Sequence, residues 1–221
     1  MEVVMGVNRI SGGIYLVIDP SMEKIELLEK LQQALEEGVS VVQIWDHWTV
    51  NIDQEKIING ICNLCHAHKV PVLINNSWEL LRFLPLDGVH FDTIPQDYDL
   101  IRKSIKTDSI IGLTCNNNLS DIEWAENNQL NYISFCSIFP SSTSNSCDLV
   151  SFDTITKARK ISSMPMFLAG GIQLDNMKEL NGLDFNGIAI ISGIMNSENP
   201  AQATQQYLKH LKENSNENNN H

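Results

Sequence analysis

Eight short, nearly continuous apolar runs recur along the chain, at residues 14–18, 39–45, 70–74, 88–91, 110–114, 131–135, 166–169 and 185–191. Runs of this length are typical of β-strands. Strands that lack an apolar–polar alternation are expected to be buried on both faces. The pattern therefore predicts eight interior strands.

Between these runs, apolar residues recur at three- and four-residue spacing, which indicates helices with one buried face. Polar residues that favour helix starts precede several of these stretches, and we expect N-caps at Ser21, Asn76 and Ser120. Asp175 is expected to open a short helix after the seventh run. The last helix is expected to begin with proline at its first position, at residue 200, and to run through Leu211.

Strands that alternate with helices pair in parallel, and eight such units predict an α/β fold, a single (β/α)8 TIM barrel. The alternative is an open doubly wound sheet, which usually has fewer strands and a glycine-rich turn after its first strand. Here the first turn is Asp19-Pro20-Ser21, and paired glycines follow the seventh strand instead. We expect one barrel domain over residues 1–213 and a disordered polar tail over residues 214–221.

Composition narrows the classes of partner. The 221 residues carry a formal net charge of −12, which argues against binding to nucleic acid or to an anionic membrane surface. No run of about 18 apolar residues occurs, so no transmembrane helix is expected, and the first residues lack the pattern of a secretory signal. Five dispersed cysteines indicate reduced thiols in a cytoplasmic protein rather than a disulfide framework.

Glycines stand at the ends of the last two predicted strands. Gly170 and Gly171 follow the seventh strand, and Ser192 and Gly193 follow the eighth. TIM barrels carry their active sites at the carboxyl ends of the strands, and phosphate often binds at the last two. Because glycine has no Cβ, backbone amides there can approach an anion closely. These residues predict one wall of a phosphate site, with a plain strand-to-helix turn as the alternative.

Eight motifs then follow one another in the order of a known family: IYLV at 14–17, GVSVVQ at 38–43, LIN at 73–75, DGVH at 87–90, IGLT at 111–114, IFP at 138–140, LAGGI at 168–172 and GIAIISGI at 187–194. Together they make the chain resemble thiamine phosphate synthase and its thiazole tautomerase relatives over nearly its whole length. The resemblance implies a transferase of thiamin biosynthesis that joins hydroxymethylpyrimidine diphosphate to thiazole phosphate, with Mg²⁺ assisting the departure of diphosphate. A homodimer is one assembly that it implies.

The resemblance also assigns ligand contacts. On the thiazole-phosphate side they are Thr114, Ser141, Thr143, Gly170, Gly171, Ile191 and Ser192. On the pyrimidine side, Gln43 and Asn75 match the family, whereas Asn76 stands where the family has an aspartate.

The diphosphate side departs further from the family. A family arginine and lysine are replaced by Trp45 and His47, and another lysine is replaced by Ser144. The second metal aspartate of the family falls near Pro95, so Mg²⁺ binding would rest on Asp92 nearby. Because a departing diphosphate needs fixed positive charge, these changes predict weak joining activity.

The candidate catalytic residues are His47 and Ser137. The tautomerase relatives carry a histidine where Ser137 stands here, so that acid–base group is missing. An imidazole can transfer protons near neutral pH, which makes His47 a candidate, while His90 matches a histidine found across the family.

Three functions stay open at this point. The leading one is a synthase-type enzyme; the others are a non-catalytic paralogue that binds thiazole phosphate, and a tautomerase-like or other enzyme with a different phosphorylated substrate. Trp45, with Trp48, is expected to stack on an aromatic ligand, to fill the vacated cation position, or to pack as an ordinary core residue.

A second candidate cluster, Cys62, Cys65, His66 and His68, has the residue types of a metal site. It lies on a predicted helix, where the last histidine faces away from the other three residues. No second pair with zinc spacing follows, so packing is the favoured interpretation.

Overall fold

Eight parallel strands close into a barrel in their order along the chain. The computed structural model describes residues 10–50, 52–140 and 148–218, with side chains described up to residue 214. The strands are β1 (Gly13–Ile18), β2 (Val41–Ile44), β3 (Val72–Asn75), β4 (Gly88–Phe91), β5 (Ile110–Cys115), β6 (Tyr132–Cys136), β7 (Met166–Ala169) and β8 (Gly187–Ile190). The predicted (β/α)8 barrel is confirmed.

Helices follow the strands and cover the barrel from outside. The α-helices are α1 (Lys24–Glu37), α2 (Gln54–Ala67), α3 (Tyr98–Ser104), α4 (Leu119–Asn127), α5 (Phe152–Ile161), α6 (Ser192–Met195) and α7 (Pro200–Asn218). Two 3₁₀ helices, Trp78–Arg82 and Met177–Leu180, take the places of longer helices after β3 and β7. No helix in the described ranges is both long enough and apolar enough to cross a lipid bilayer.

The buried residues form two layers. One lies between the strands and the surrounding helices, and the other fills the barrel lumen with aromatic side chains such as Tyr15, Tyr132 and Phe167. The three rings meet edge to face, with centroids 5.4 to 5.7 Å apart. Two strand glycines make this possible, because a Cβ at Gly112 would collide with the Tyr132 ring and one at Gly187 would collide with Phe167. The lumen is therefore a packed floor rather than a channel.

Two predicted helix caps are wrong. Helix α1 is capped by Glu23, whose carboxylate accepts hydrogen bonds from the amides of Ile25 and Glu26 at 2.9 and 3.0 Å. Ser21 lies in the preceding turn, where its own amide donates to Asp19. Helix α4 is capped by Asn118 rather than Ser120. In both cases a neighbouring side-chain oxygen accepts the hydrogen bonds of the free amides in the first helical turn.

The short helices also start later than predicted. Asn76 has a φ of +56° and lies outside the helix, whose N-cap is Ser77 without a side-chain cap bond. Likewise the helix after β7 begins at Met177, with Asn176 rather than Asp175 at its N-cap.

The last helix differs from expectation at its end. Helix α7 starts at Pro200, as predicted, but continues to Asn218 rather than ending near Leu211. It thus includes residues 214–218 of the segment for which the sequence predicts disorder, and residues 219–221 lie outside the described range. Asn214 is buried at 5 % exposure, so the helix is still in contact with the body of the protein there.

Candidate functional site

A cavity of about 480 Å³ opens at the carboxyl ends of the strands, and all eight strands or the turns that follow them contribute to its lining. It brings together most of the residues predicted for the site: Gln43, Asn75, Asp92, Thr114, Gly170, Gly171, Ile191 and Ser192. His47, Asn76 and Ser137 do not line it. Ser141, Thr143 and Ser144 lie outside the described residues.

The Gly170–Gly171 turn forms one wall of this cavity. Both glycines have positive φ, +84° and +67°. A Cβ at Gly170 would lie 2.5 Å from the Ser137 hydroxyl, and one at Gly171 would lie 2.5 Å from the Phe139 carbonyl oxygen. Conformation and space therefore both demand glycine, and both glycines line the cavity.

Asn176 fixes the shape of that turn. Its side-chain amide donates to the Gly171 carbonyl at 2.8 Å, and its side-chain oxygen accepts from the Gln173 amide at 2.9 Å. Within the described residues, the backbone amide of Gly171 donates to no acceptor. The turn is therefore held in one conformation by its own hydrogen bonds, and the Gly171 amide remains available as a donor.

The turn after β8 lies beside it. Ser192 and Gly193 line the cavity, and their backbone amides likewise have no acceptor among the described residues. A Cβ at Gly193 would lie 3.0 Å from the Cζ atom of Tyr207 in helix α7 and closer still to the Tyr207 hydroxyl. The last helix thus packs directly behind this part of the wall.

The floor of the cavity is a chain of hydrogen bonds across the lumen. Tyr15 donates to Gln43, and its hydroxyl lies 2.8 Å from that of Tyr132. The Tyr132 hydroxyl is 2.9 Å from Nδ1 of His90, and Nε2 of His90 is 2.8 Å from Oγ1 of Thr114. These hydrogen bonds link residues of β2, β1, β6, β4 and β5, in that order. Because β1 and β6 are not neighbours in the barrel, the network crosses the lumen rather than following the wall.

Burial keeps the titratable groups of this hydrogen-bond network uncharged. Desolvation lowers the pKa of His90 to about 4, although the nearby Asp92 carboxylate opposes the shift. Desolvation also raises the pKa of both Tyr15 and Tyr132 well above the usual tyrosine value. At neutral pH the floor is therefore a neutral hydrogen-bond network. The sequence identified Gln43, His90 and Thr114 but missed Tyr15 and Tyr132, whose place within predicted interior strands was the available signal.

Asp92, just after β4, is held by two asparagines. Both of its carboxylate oxygens accept side-chain amide hydrogens at 2.9 Å, one from Asn75 and one from Asn76. The Asp92 amide donates back to the Asn76 side chain at 3.1 Å. This pairing explains the turn conformation of Asn76 and replaces its predicted role as a helix cap.

This donor set does not fit a magnesium site. Mg²⁺ prefers carboxylate oxygens together with phosphate oxygens and water. Asp92 is the single acidic residue in the described lining, and both of its oxygens are occupied by amides. No group of three or more His, Cys, Asp and Glu side chains with metal-binding geometry occurs in the described ranges.

His47 lies at the rim, outside the cavity lining. Its Nδ1 atom is 2.9 Å from the carboxylate of Asp19, which follows β1. Partial burial disfavours the charged carboxyl, but hydrogen bonds from Ser21 and His47 outweigh it and lower the pKa of Asp19. The His47 ring also lies against Trp45, with centroids 4.9 Å apart. Trp45 itself lines the cavity and packs on the lumen core.

Ser137 lies behind the glycine turn rather than in the cavity. It is 2 % exposed, and its hydroxyl occupies the space that a Cβ at Gly170 would need. It is not among the described residues that line the cavity.

The Cys62–His68 cluster does not assemble. Cys62 and Cys65 are fully buried, and desolvation raises their thiol pKa values, that of Cys62 to about 12. His66 is bonded to Asp87 and His68 to the Leu64 carbonyl. These contacts support the packing interpretation for this part of helix α2.

Fold and site together define a small (β/α)8 barrel with a ligand-sized cavity at the carboxyl ends of its strands. A sequence profile of the family described as thiamine monophosphate synthase matches residues 14–194. The chain therefore belongs to the thiamine monophosphate synthase family, which confirms the family predicted from its motifs.

The sequences of named relatives match this chain over nearly their full length. The thiamine-phosphate synthase of Methanobrevibacter smithii is 26 % identical over 205 residues, covering 93 % of this chain and 98 % of that protein. The enzyme of the same name from Clostridioides difficile is 28 % identical and covers 88 % of this chain and 92 % of its own length. The thiamine phosphate pyrophosphorylase structure from Pyrococcus furiosus superposes with a TM-score of 0.79 at 21 % identity, covering 92 % of this chain and 97 % of that one.

Proposed function

We propose that this protein binds thiazole phosphate, with the phosphate group seated at the ends of β7 and β8. The observation that carries the proposal is the Gly170–Gly171 turn, which is forced open to the cavity by its positive φ angles and by Ser137 behind it. The amides of Ser192 and Gly193 lie at the adjacent strand end and complete a set of backbone donors. Such a set binds an anion without a cationic side chain.

The ring of the ligand would lie over the hydrogen-bonded floor. Thr114 offers a hydroxyl there, held in place by His90 at 2.8 Å and by Ser134 at 3.1 Å. The side-chain nitrogen of Gln43 is free to donate, because its oxygen is the atom bonded to Tyr15. These groups orient a heteroaromatic ring by hydrogen bonds rather than by charge.

The joining reaction places a different demand on the site. A leaving diphosphate gains negative charge that must be stabilised, and losing one well-placed donor costs about 10²–10³ in rate. The described lining contains neither lysine nor arginine, and the residues that replace two family cations are Trp45 and His47. We therefore expect slow joining of hydroxymethylpyrimidine diphosphate to thiazole phosphate, compared with relatives that keep these cations.

A second candidate function is a binding protein without joining activity, and the uncharged lining is the observation that favours it. A coupled assay with both thiamin precursors and Mg²⁺ separates the two. Accumulation of thiamine monophosphate above the enzyme-free control supports the transferase, whereas its absence alongside measurable thiazole-phosphate binding leaves the binding protein.

Calorimetric titration with thiazole phosphate tests the shared premise. Ser192→Glu places a negative charge at the phosphate position and should abolish binding. Ser163→Glu is the matched control, because Ser163 is exposed and lies before β7, at the opposite end of the barrel. Equal affinity of the Ser192→Glu variant and the unmodified protein would refute the phosphate position.

A further inference from the structure

The hydrogen bonds in the floor of the cavity have as many hydrogens as links. Four links join Gln43 to Tyr15, Tyr15 to Tyr132, Tyr132 to His90, and His90 to Thr114. Each of the three hydroxyls carries one hydrogen, and a neutral imidazole carries one N–H. Burial keeps the imidazole neutral, since it lowers the pKa of His90 to about 4. The four hydrogens therefore fill the four links only if every group donates once, in the same direction.

Gln43 sets that direction. Its side-chain oxygen carries no hydrogen, so the Tyr15 hydroxyl donates to it. Tyr15 then accepts from Tyr132 at 2.8 Å, and Tyr132 accepts from Nδ1 of His90 at 2.9 Å. The imidazole hydrogen therefore lies on Nδ1, and Nε2 is left as an acceptor.

Thr114 closes the other end of the network. Its Oγ1 atom lies 2.8 Å from Nε2 of His90 and gives its hydrogen there, because a buried nitrogen without a donor is costly. Ser134, 3.1 Å from the same Oγ1 atom, is then the donor of that pair. Thr114 is half-buried and lines the cavity. The lone pair that remains on its oxygen can accept a hydrogen bond from a ligand, but Thr114 has no hydrogen left to donate.

The Gln43 amide has the opposite character toward the cavity. Its side-chain nitrogen bonds to no acceptor in the described part of the chain. It is not a buried unpaired atom either, because the single such side-chain atom among the described residues belongs to Asn214 in helix α7. The nitrogen is therefore accessible, and Gln43 lines the cavity. One end of the network thus offers a donor and the other end an acceptor.

We propose that Tyr15 and Tyr132 are positioning residues that hold His90 in its Nδ1–H tautomer. Through that tautomer, Thr114 meets a bound ligand as a hydrogen-bond acceptor and Gln43 meets it as a donor. The nitrogen of a thiazole ring has a lone pair and no hydrogen, so its hydrogen bond would come from Gln43 rather than from Thr114. This last step rests on the proposed function, whereas the tautomer does not.

Turning the Gln43 amide over would reverse every link. Its nitrogen would donate to Tyr15, the imidazole hydrogen would move to Nε2, and Thr114 would become a donor toward the cavity. The tautomer of His90 thus reports the orientation of an amide on another strand. With the amide as it stands, the Nε2–H form would leave one link without a hydrogen. We therefore expect the Nδ1–H form to predominate by about tenfold or more.

Nitrogen NMR of the unliganded full chain at neutral pH tests this tautomer without a mutation. Protonated and unprotonated imidazole nitrogens resonate far apart, and their couplings to the hydrogens on the ring carbons distinguish Nδ1 from Nε2. The chain has six histidines, and the spectrum of His90→Gln identifies the His90 signals by their loss. We expect the hydrogen on Nδ1. A hydrogen mainly on Nε2 would overturn the proposal.

Two matched variants test the role of the tyrosine hydroxyl. Tyr15→Phe leaves Nδ1 of His90 as the hydrogen-bond partner of the Tyr132 hydroxyl, which should donate to it and so shift the imidazole hydrogen to Nε2. Tyr98→Phe removes a hydroxyl from the outer layer, where it bonds to the Asn128 carbonyl, and should keep the Nδ1–H form. An unchanged Nδ1–H form in Tyr15→Phe would contradict a positioning role for Tyr15.

Adding thiazole phosphate tests the ligand step with the same signal. A ring nitrogen that takes its hydrogen bond from Gln43 leaves the network unchanged, so His90 should keep its hydrogen on Nδ1 when the ligand is bound. A switch to the Nε2–H form on binding would show that Thr114 donates, and would refute its assignment as an acceptor. If thiazole phosphate does not bind, the proposed function fails, while the tautomer in the unliganded protein still decides this inference.

Discussion

Lowering the pH from 7 to 5 should destabilise the fold through His90. The imidazole is 4 % exposed and lies in the lumen, between the Tyr132 hydroxyl and the Thr114 hydroxyl. Burial lowers its pKa to about 4, with Asp92 acting in the opposite direction. The folded state therefore holds this histidine neutral over a range in which the unfolded chain takes up a proton.

The sign and size follow from proton linkage. Because the folded pKa is depressed, the stabilisation is fully present above the unfolded value, about 6.5 for histidine, and is lost as the pH falls from there toward 4. Between pH 7 and pH 5 the unfolded state gains about 0.7 of a proton at this histidine and the folded state about 0.1. The resulting loss is about 2 kcal/mol of unfolding free energy from this one group.

Urea denaturation at the two pH values measures this loss. The difference between pH 7 and pH 5 should be about 2 kcal/mol smaller in His90→Gln than in the unmodified protein. His47→Gln, which removes an exposed imidazole at the rim, is the control and should keep the larger difference. Titration of the His90 ring signals by NMR in the unmodified protein is an independent check. A folded-state midpoint near 6.5 would refute the reasoning even if the variant did not fold.

Three further predictions concern packing. Tyr132→Phe removes the hydroxyl that pairs with His90 and should lower the unfolding free energy by about 1–3 kcal/mol, because a buried nitrogen loses its partner; an unchanged urea midpoint would contradict this. The Cys65 thiol is fully buried and its pKa is raised, so it should resist a maleimide in the folded protein, and mass spectrometry would detect any rapid labelling. Gly193→Ala should cost about 1–3 kcal/mol by collision with the Tyr207 hydroxyl, and adding Tyr207→Phe should recover part of the lost melting temperature.

The sequence predicted the strands well because their signal is local. A run such as 166–169 is apolar, short and bounded by turn residues, and each of these properties can be read without knowing the neighbours. The helix starts were harder to predict. Ser21 and Glu23 are both able to cap, and the choice between them depends on where the chain leaves β1 and on the competing bond from Ser21 to Asp19.

The candidate site also has a part that could be predicted from local sequence and a part that could not. The glycine turn after β7 could be predicted because its position in the strand order determines where it lies in a barrel. The lumen network could not, because Tyr15 and Tyr132 are 117 residues apart and meet only through the closure of the barrel. A tyrosine in a strand gives no sign of which strand will lie across from it. Ser137 shows the converse: the resemblance suggested a candidate catalytic residue, and the structure places its hydroxyl beside Gly170, outside the described lining of the cavity.

Asn76 shows how the Asp92 end of the cavity is satisfied by hydrogen bonds within the protein. An aspartate at this position would place a second carboxylate beside that of Asp92, and two such groups need a cation or a proton between them. The asparagine instead forms a reciprocal pair with Asp92, donating at 2.9 Å and accepting at 3.1 Å, while Asn75 donates to the other oxygen. Each polar group in the pair thus has a partner within the protein. An amide at this position therefore avoids the repulsion that a second carboxylate would bring, and with it the need for a cation between the two groups.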